Sequence, residues 1–186
     1  MFLAALDKFA NTPWLMVAAV LVHILCTQYM SSLTQQLGKD NPPPDIRFGY
    51  TSESLNAWYD AIGEDGCKIY QQHVFVDLFP YMQSYTLVGG ALLLQQLRII
   101  GWNENIALIF PMVMLMDMIE TCIPAYGCSI YPEKRLRPAY VQASASANQL
   151  KWTNFGIGMS ILSILFVYNS FFPPKHDEAK AEEKTD

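Results

Sequence analysis

The chain has 186 residues, 52% of them hydrophobic and 16% charged, with a net charge of -5. That apolar share exceeds what an ordinary soluble domain carries, and runs of membrane-spanning length recur along it, so the class is an all-α, multi-pass membrane protein. The acidic balance, carried largely by segments outside those runs, argues against nucleic acid as a partner. The cysteines form no CxxC pair; Cys122 and Cys128 are close enough in sequence to pair, but free thiols fit the spacing better.

Residues 1–12 read as an interfacial amphipathic segment, with Phe2, Leu3, Leu6 and Phe9 at helical spacing beside Asp7 and Lys8. Neither an Arg-rich leader nor a small-residue cleavage site precedes the first span, so that span is expected to stay in the mature protein. Pro13 suits its first turn, and Trp14 and Tyr29 mark its aromatic edges at about 14–30. His23, in mid-span, reads as a neutral imidazole bonded to a hydroxyl or a carbonyl. KDNPPPDIR (39–47) predicts a stiff extended arm. A short surface helix follows, with Leu55, Trp58, Tyr59 and Ile62 on one face and Gly63 as its stop. The second span, about 70–97, places His73, Asp77, Tyr81 and Tyr85 at intervals of four; Pro80 predicts a kink beside Asp77, and Gly89–Gly90 a close helix approach.

The third span, about 105–123, holds Asp117 and Glu120 within IALIFPMVMLMDMIETCIPAYGC. At ~1.5 Å per residue Asp117 lies ~16 Å in from Ile106, near the middle of a ~30 Å hydrocarbon core. Each central acid costs ~2.5–3.5 kcal/mol on insertion scales, and each Leu, Ile, Phe or Val returns only ~0.3–0.6. The helix therefore does not face lipid with both carboxylates unpaired. Pro111 predicts a second kink, and Pro124 with Gly127 the end of the helix. Residues 129–150 read as a loop whose Arg135 and Arg137 suit anionic lipid headgroups. The fourth span, about 152–172, offers Gly156 and Ser160 as a small-residue packing face. Together these make a four-transmembrane-helix bundle over 13–172, followed by a charged tail at 173–186 that would be disordered alone.

Four spans put both termini and the 98–105 turn on one side of the bilayer. That side carries Lys8, Arg98, Lys175, Lys180 and Lys184, against Lys39, Arg47, Lys68, Lys134, Arg135, Arg137 and Lys151 on the other. The counts nearly balance, so charge does not set the orientation. The same topology gathers Asp77, Glu120 and Lys151 toward one face, with Asp117 one turn deeper. A network of Asp77, Glu120 and Lys151 is expected, with Asp117 bonded to Tyr81, Tyr85 or a backbone N–H freed by a kink.

These residues resemble a family of small four-span membrane proteins of unassigned function, found in bacteria, protists and algae. Its pattern has a tyrosine- and glycine-rich lead into span two, then D-x-x-F-P-x-x-Y; span three carries D-x-x-E-N, and a lysine precedes span four. The lead matches at Tyr59, Gly63, Gly66 and Tyr70, and the second span at Asp77, Phe79, Pro80 and Tyr81. Asp117, Glu120 and Lys151 match the rest, while Thr121 stands where the family has Asn. The resemblance covers roughly 50–172 and implies that the polar network belongs to the fold.

Several functions compete. His73, Asp77, Asp117 and Glu120 loosely imitate a carboxylate-rich metal site, with His23 as the missing second imidazole; metal ranks below a packing role. A four-helix enzyme or binding protein for a lipid or sterol would use the intramembrane acids directly. A non-catalytic subunit of a larger membrane complex, such as a mitochondrial respiratory or ATP synthase complex of the inner membrane, ranks first. No nucleophile–base set or cofactor motif is present, and the amphipathic start, the triproline arm and the Trp58 helix look like docking surfaces. On that reading other membrane subunits and lipids are the partners. No cofactor is expected beyond a structural phospholipid, cardiolipin among the candidates, seated at the Pro80 or Pro111 kink.

Overall fold

The computed structural model describes residues 2–172; the charged tail at 173–186 lies outside the described residues. The regular elements within them are helical. They are α1 (Phe2–Ala10), α2 (Pro13–Leu37), α3 (Ser52–Val76), α4 (Met82–Ile100), α5 (Ile109–Ile130) and α6 (Pro138–Phe171), with short 3-10 turns at Pro44–Ile46 and Glu104–Leu108. Three stretches, Pro13–Leu37, Glu104–Ile130 and Pro138–Phe171, are long and apolar enough to cross a membrane. The expected second span is not one of them. It is assembled from the end of α3, a five-residue π turn at Asp77–Tyr81, and α4.

Two expected boundaries move because composition misleads. The 129–150 stretch is mostly helix: α6 starts at Pro138 in its first turn, leaving only Tyr131–Arg137 as a connection. Ala and Ser look loop-like in ASASAN, yet Ala is the best helix former, and Val141, Ser144, Ala145, Asn148 and Lys151 form one buried stripe at helical spacing. In α5, Pro111 falls in the first turn, where its missing N–H has no partner to lose, so no kink arises there. Pro124 does not end α5, which runs on to Ile130. A proline removes the bond to the carbonyl four residues back, here that of Glu120. The Ser144 hydroxyl donates to that carbonyl at 2.8 Å, and the Tyr59 hydroxyl donates to the carbonyl of Pro124 at 3.0 Å.

The surfaces expected to dock elsewhere are used inside the chain. The Trp58 helix continues through a bend at Gly63 (φ 63°, a left-handed value that favours glycine) into the rest of α3. Thr51 caps it reciprocally with Ser54. Trp58 and Tyr59 are buried with Leu55, Tyr70 and Cys67 against Cys128 and Leu136. In α1, Leu6 is fully buried among Leu93, Leu94, Leu97, Phe110 and Leu165. Arg98 clamps that end by pairing with Asp7 of α1 and with Glu104. The guanidinium holds the Asp7 carboxyl below its ordinary value. Pro43 and Pro44 are buried as well. The Gly156–Ser160 face, by contrast, is exposed; Gly158 is the glycine of α6 that packs, against Ile109 and Phe110.

Gly127 lets α3, α5 and the 131–137 connection pack closely, since a Cβ there would collide with the Tyr59 ring and with Leu136. Gly127→Ala should lower stability by ~1–3 kcal/mol, as overpacked cores do. Thermal unfolding in lipid nanodiscs should show the loss, and Tyr59→Phe in the same chain should reduce the added cost of the alanine.

Candidate functional site

Lys151 sits at the middle of a buried polar layer. Its ammonium donates to Glu120 Oε2 at 2.7 Å, to Asp117 Oδ1 at 3.0 Å and to the Asp45 carbonyl at 3.2 Å. Glu120 is fully buried, and Asp117 and Lys151 are each 6% exposed. Asn148, one turn earlier on α6, donates to Glu120 Oε1 and to the same Asp45 carbonyl, both at 3.1 Å. Its own carbonyl accepts from the Gly49 N–H at 2.8 Å. The Trp152 indole donates to the Asp45 carbonyl at 3.2 Å, so three side chains of α6 converge on one backbone oxygen. Tyr50 adds a tie, donating to Ser144 Oγ at 2.5 Å. Burial pushes the Tyr50 phenol up from its ordinary value, which keeps its proton in place for that bond.

The π turn supplies the opposing wall. Residues four apart advance ~400° on an α-helix, so a stripe of period four drifts ~40° per step and ~120° over three steps. The wider turn at Asp77–Tyr81, which closes with the Met82 N–H on the Asp77 carbonyl, takes up much of that drift. As a result His73, Asp77, Tyr81 and Tyr85 all line one cavity of about 230 Å³. Asp45, Asp117, Lys151 and Trp152 face them from the arm, α5 and α6, with Met30, Val113 and Phe155 as the apolar part of the lining. His23 of α2 closes one side, bonded through Nδ1 to Ser84 Oγ at 3.1 Å and stacked on Tyr81 with ring centres 4.5 Å apart.

Several expected contacts take another form. Asp77 does not reach Lys151; its Oδ2 has only the Thr121 hydroxyl, at 3.4 Å. Asp117, expected to bond Tyr81, Tyr85 or a freed backbone N–H, bonds the Tyr85 hydroxyl, which donates to Oδ2 at 2.9 Å, and gains Lys151 as a second partner. Tyr81 stacks on His23 instead of bonding Asp117. Arg135 donates to Asp60 at 2.5 Å and lies over the Tyr131 ring, while Arg137 is exposed at the start of α6. Cys122 is exposed and Cys128 buried, six positions apart on one helix; all the cysteines are free.

His73, Asp77, Asp117 and Glu120 do not make a metal centre. Among the described residues no group of three or more His, Cys, Asp or Glu is placed to hold an ion. The reason is Lys151, whose ammonium fills the position between Asp117 and Glu120 that a cation would need.

Sequence reasoning missed Asp45, Tyr50, Ser144 and Asn148. Asp45 was hidden in a polar linker, and nothing local marks an aspartate that folds back on a span more than a hundred residues away. Ser144 and Asn148 were legible, because they stand seven and three residues before Lys151 and so share its helix face.

The cavity keeps unsatisfied polarity. Asp45 Oδ1 and His73 Nδ1 are buried without a hydrogen-bond partner, in residues 7% and 4% exposed. Orphaned groups of this kind cost ~1–3 kcal/mol each. The Lys151 side is satisfied, and the Asp45–His73–Asp77 side is open.

Lys151→Met should cost ~3–5 kcal/mol, because it strands two buried carboxylates. Adding Asp117→Asn and Glu120→Gln to that variant should recover a good part of the loss. Thermal midpoints of the purified proteins in nanodiscs provide the comparison, and an unchanged midpoint for Lys151→Met alone would show that the ion pairs do not hold α5 to α6.

No family model, curated protein or solved structure matches the chain. The motif resemblance is also inexact at two points: Leu78 alone separates Asp77 from Phe79, one residue short of the D-x-x-F-P spacing, and Tyr81 follows Pro80 directly where the pattern has two residues between them.

Proposed function

We propose that this protein is an integral membrane binding protein that takes the polar head of a lipid-like or sterol-like molecule into the Asp45–His73–Asp77 side of its cavity. The observation that carries the reading is the pair of buried, partnerless groups, Asp45 Oδ1 and His73 Nδ1, lining a cavity whose opposite wall is fully bonded. A purely structural layer gains nothing by leaving them open, whereas a ligand head supplies what they lack. At about 230 Å³ the cavity is smaller than the ~300–1,000 Å³ that encloses a drug-sized molecule, so it suits a head group with the remainder outside. Ile46 and Trp152, both exposed, stand at its margin. In this reading the α3–π–α4 helix is the fourth crossing, and the cavity lies within the bilayer.

Native mass spectrometry of protein extracted gently from its own membrane tests this. The wild-type chain should carry an amphiphile adduct, and Val113→Phe, which fills the cavity from α5, should lose it. A bare chain in both, or an adduct indifferent to Val113→Phe, would rule the reading out.

The subunit reading keeps one observation in its favour. α2 leaves Trp14, Val17, Leu21 and Leu25 exposed along one side, a stripe that a neighbouring helix would cover as well as lipid does. Membership of a larger complex, and a mitochondrial inner-membrane location with it, belong to that reading. The surfaces first invoked for docking no longer support it, since α1, the triproline arm and Trp58 pack within the chain. A native gel after mild extraction should show a high-mass band if the reading holds, and migration as a lone monomer would end it.

A further inference from the structure

His23, Tyr85 and Phe155 line two spaces at once, the polar cavity and an apolar groove of about 190 Å³ beside it. The groove has Val20 and His23 of α2 on one bank and Phe155, Met159 and Leu162 of α6 on the other. Val88, Gly89 and Leu92 of α4 form its floor with Phe110, whose ring packs where a Cβ on Gly89 would stand. Leu92 and Leu162 also line a third space of about 430 Å³, which continues past Gln96 to Phe166 and Val167. The three spaces therefore form one row. From Tyr85 to Gln96 it follows α4 for ~16 Å, about half of a hydrocarbon core.

The two ends of the row differ in chemistry. Beyond Phe155 the lining is apolar, apart from small or neutral side chains such as Ser84, Ser163 and Gln96. At the head end, Asp45, Asp77 and Asp117 line the cavity and Glu120 lies behind Asp117, against the single ammonium of Lys151. That ammonium is already shared between Asp117 and Glu120 and donates to the Asp45 backbone, so it is not available to a guest. A phosphate or carboxylate head would bring an uncompensated anion against Asp45 and Asp77. A protonated amine would neutralise them, and the rings of Tyr81, Tyr85 and Trp152 on the cavity wall suit a cation.

Building on the amphiphile reading above, we infer that the ligand is a single-chain amphiphile with a protonated amine head. The head occupies the Asp45–Asp77 side of the cavity, and the alkyl chain lies along the α2–α4–α6 groove. Three observations support it: the partnerless buried atoms Asp45 Oδ1 and His73 Nδ1, the excess of carboxylates over the one ammonium of Lys151, and an apolar groove that shares His23, Tyr85 and Phe155 with the cavity.

The test uses the full chain in phosphatidylcholine nanodiscs, with dodecylamine carrying a diazirine at the chain end as the photoreactive probe. Crosslinks should map inside the groove, at Val88, Gly89, Met159 or Leu162. Unlabelled dodecylamine should displace the probe at about tenfold lower concentration than dodecanol, a difference of ~1.4 kcal/mol. Asp77→Asn should lower capture of the amine probe by about tenfold while its thermal midpoint stays within the wild-type range, and Met159→Trp, at an exposed position on the bank, should abolish labelling in the groove. Equal displacement by amine and alcohol, with Asp77→Asn without effect, would overturn the cationic head and leave amphiphile binding standing. Labelling spread over the lipid-facing side of α2 and indifferent to Met159→Trp would overturn the groove. Those outcomes are separate from the Val113→Phe experiment, whose failure removes the amphiphile reading itself.

Discussion

The buried ammonium of Lys151 is the constraint around which the rest is arranged. An ion of that size loses several kcal/mol of hydration on leaving water, and attraction repays it only when the geometry is good and every remaining proton has an acceptor. Three acceptors meet it here: Glu120 and Asp117 from α5 and the Asp45 carbonyl from the arm. Their positions require α6 to run along α5 in one register and the 43–50 segment to fold back over the start of the span. Asn148, one turn along, repeats the contact pattern to Glu120 and Asp45 and makes a slip of either element costly. The same residues that look expensive in one isolated helix therefore specify how three segments meet.

Proline and glycine set the local geometry on which that layer depends. Pro124 frees the Glu120 carbonyl, which Ser144 takes, so a broken rung of α5 becomes a bond to α6. Gly127 lets Tyr59 come close enough to bond the Pro124 carbonyl. Pro80 lies in the π turn that holds His73, Asp77, Tyr81 and Tyr85 on one wall. The consequence is an asymmetric cavity, bonded throughout on the α5–α6 side and open on the α3 side. α2 rests against α3 and α4 more than α6, and the row of spaces runs between α2 and α6.

The intramembrane acids were visible from the sequence as an energetic problem, and so was Lys151 as a cation close enough to meet them. Their assignment to one another was visible only in part: Glu120 with Lys151 and Asp117 with Tyr85 were expected and are found, whereas the expected Asp77–Lys151 contact is not. The four-span topology expected from the sequence gathers Asp77, Glu120 and Lys151 toward one side with Asp117 a turn deeper, but periodicity does not say how far each helix is rotated about its own axis. The π turn, which periodicity does not announce, changes that rotation for everything after Asp77. Asp77 consequently faces Thr121 and the cavity instead of Lys151, and Asp117 gains two partners.

Sequence alone determined the helical membrane class, the positions of the apolar runs, the Pro80 irregularity beside Asp77, and the need for buried carboxylates to be met by other polar groups. These follow from local quantities: hydropathy over a window, the missing N–H of proline, and the cost of a charge in hydrocarbon. Tertiary structure decided the rest. It turned the supposed 129–150 loop into the first turns of α6, tucked α1 and the triproline arm inside, and brought Asp45 to the cavity. Those outcomes rest on contacts between residues up to about a hundred positions apart, and a contact of that kind leaves no periodic mark on either partner. It appears only when the helices have packed and the Lys151 layer has closed.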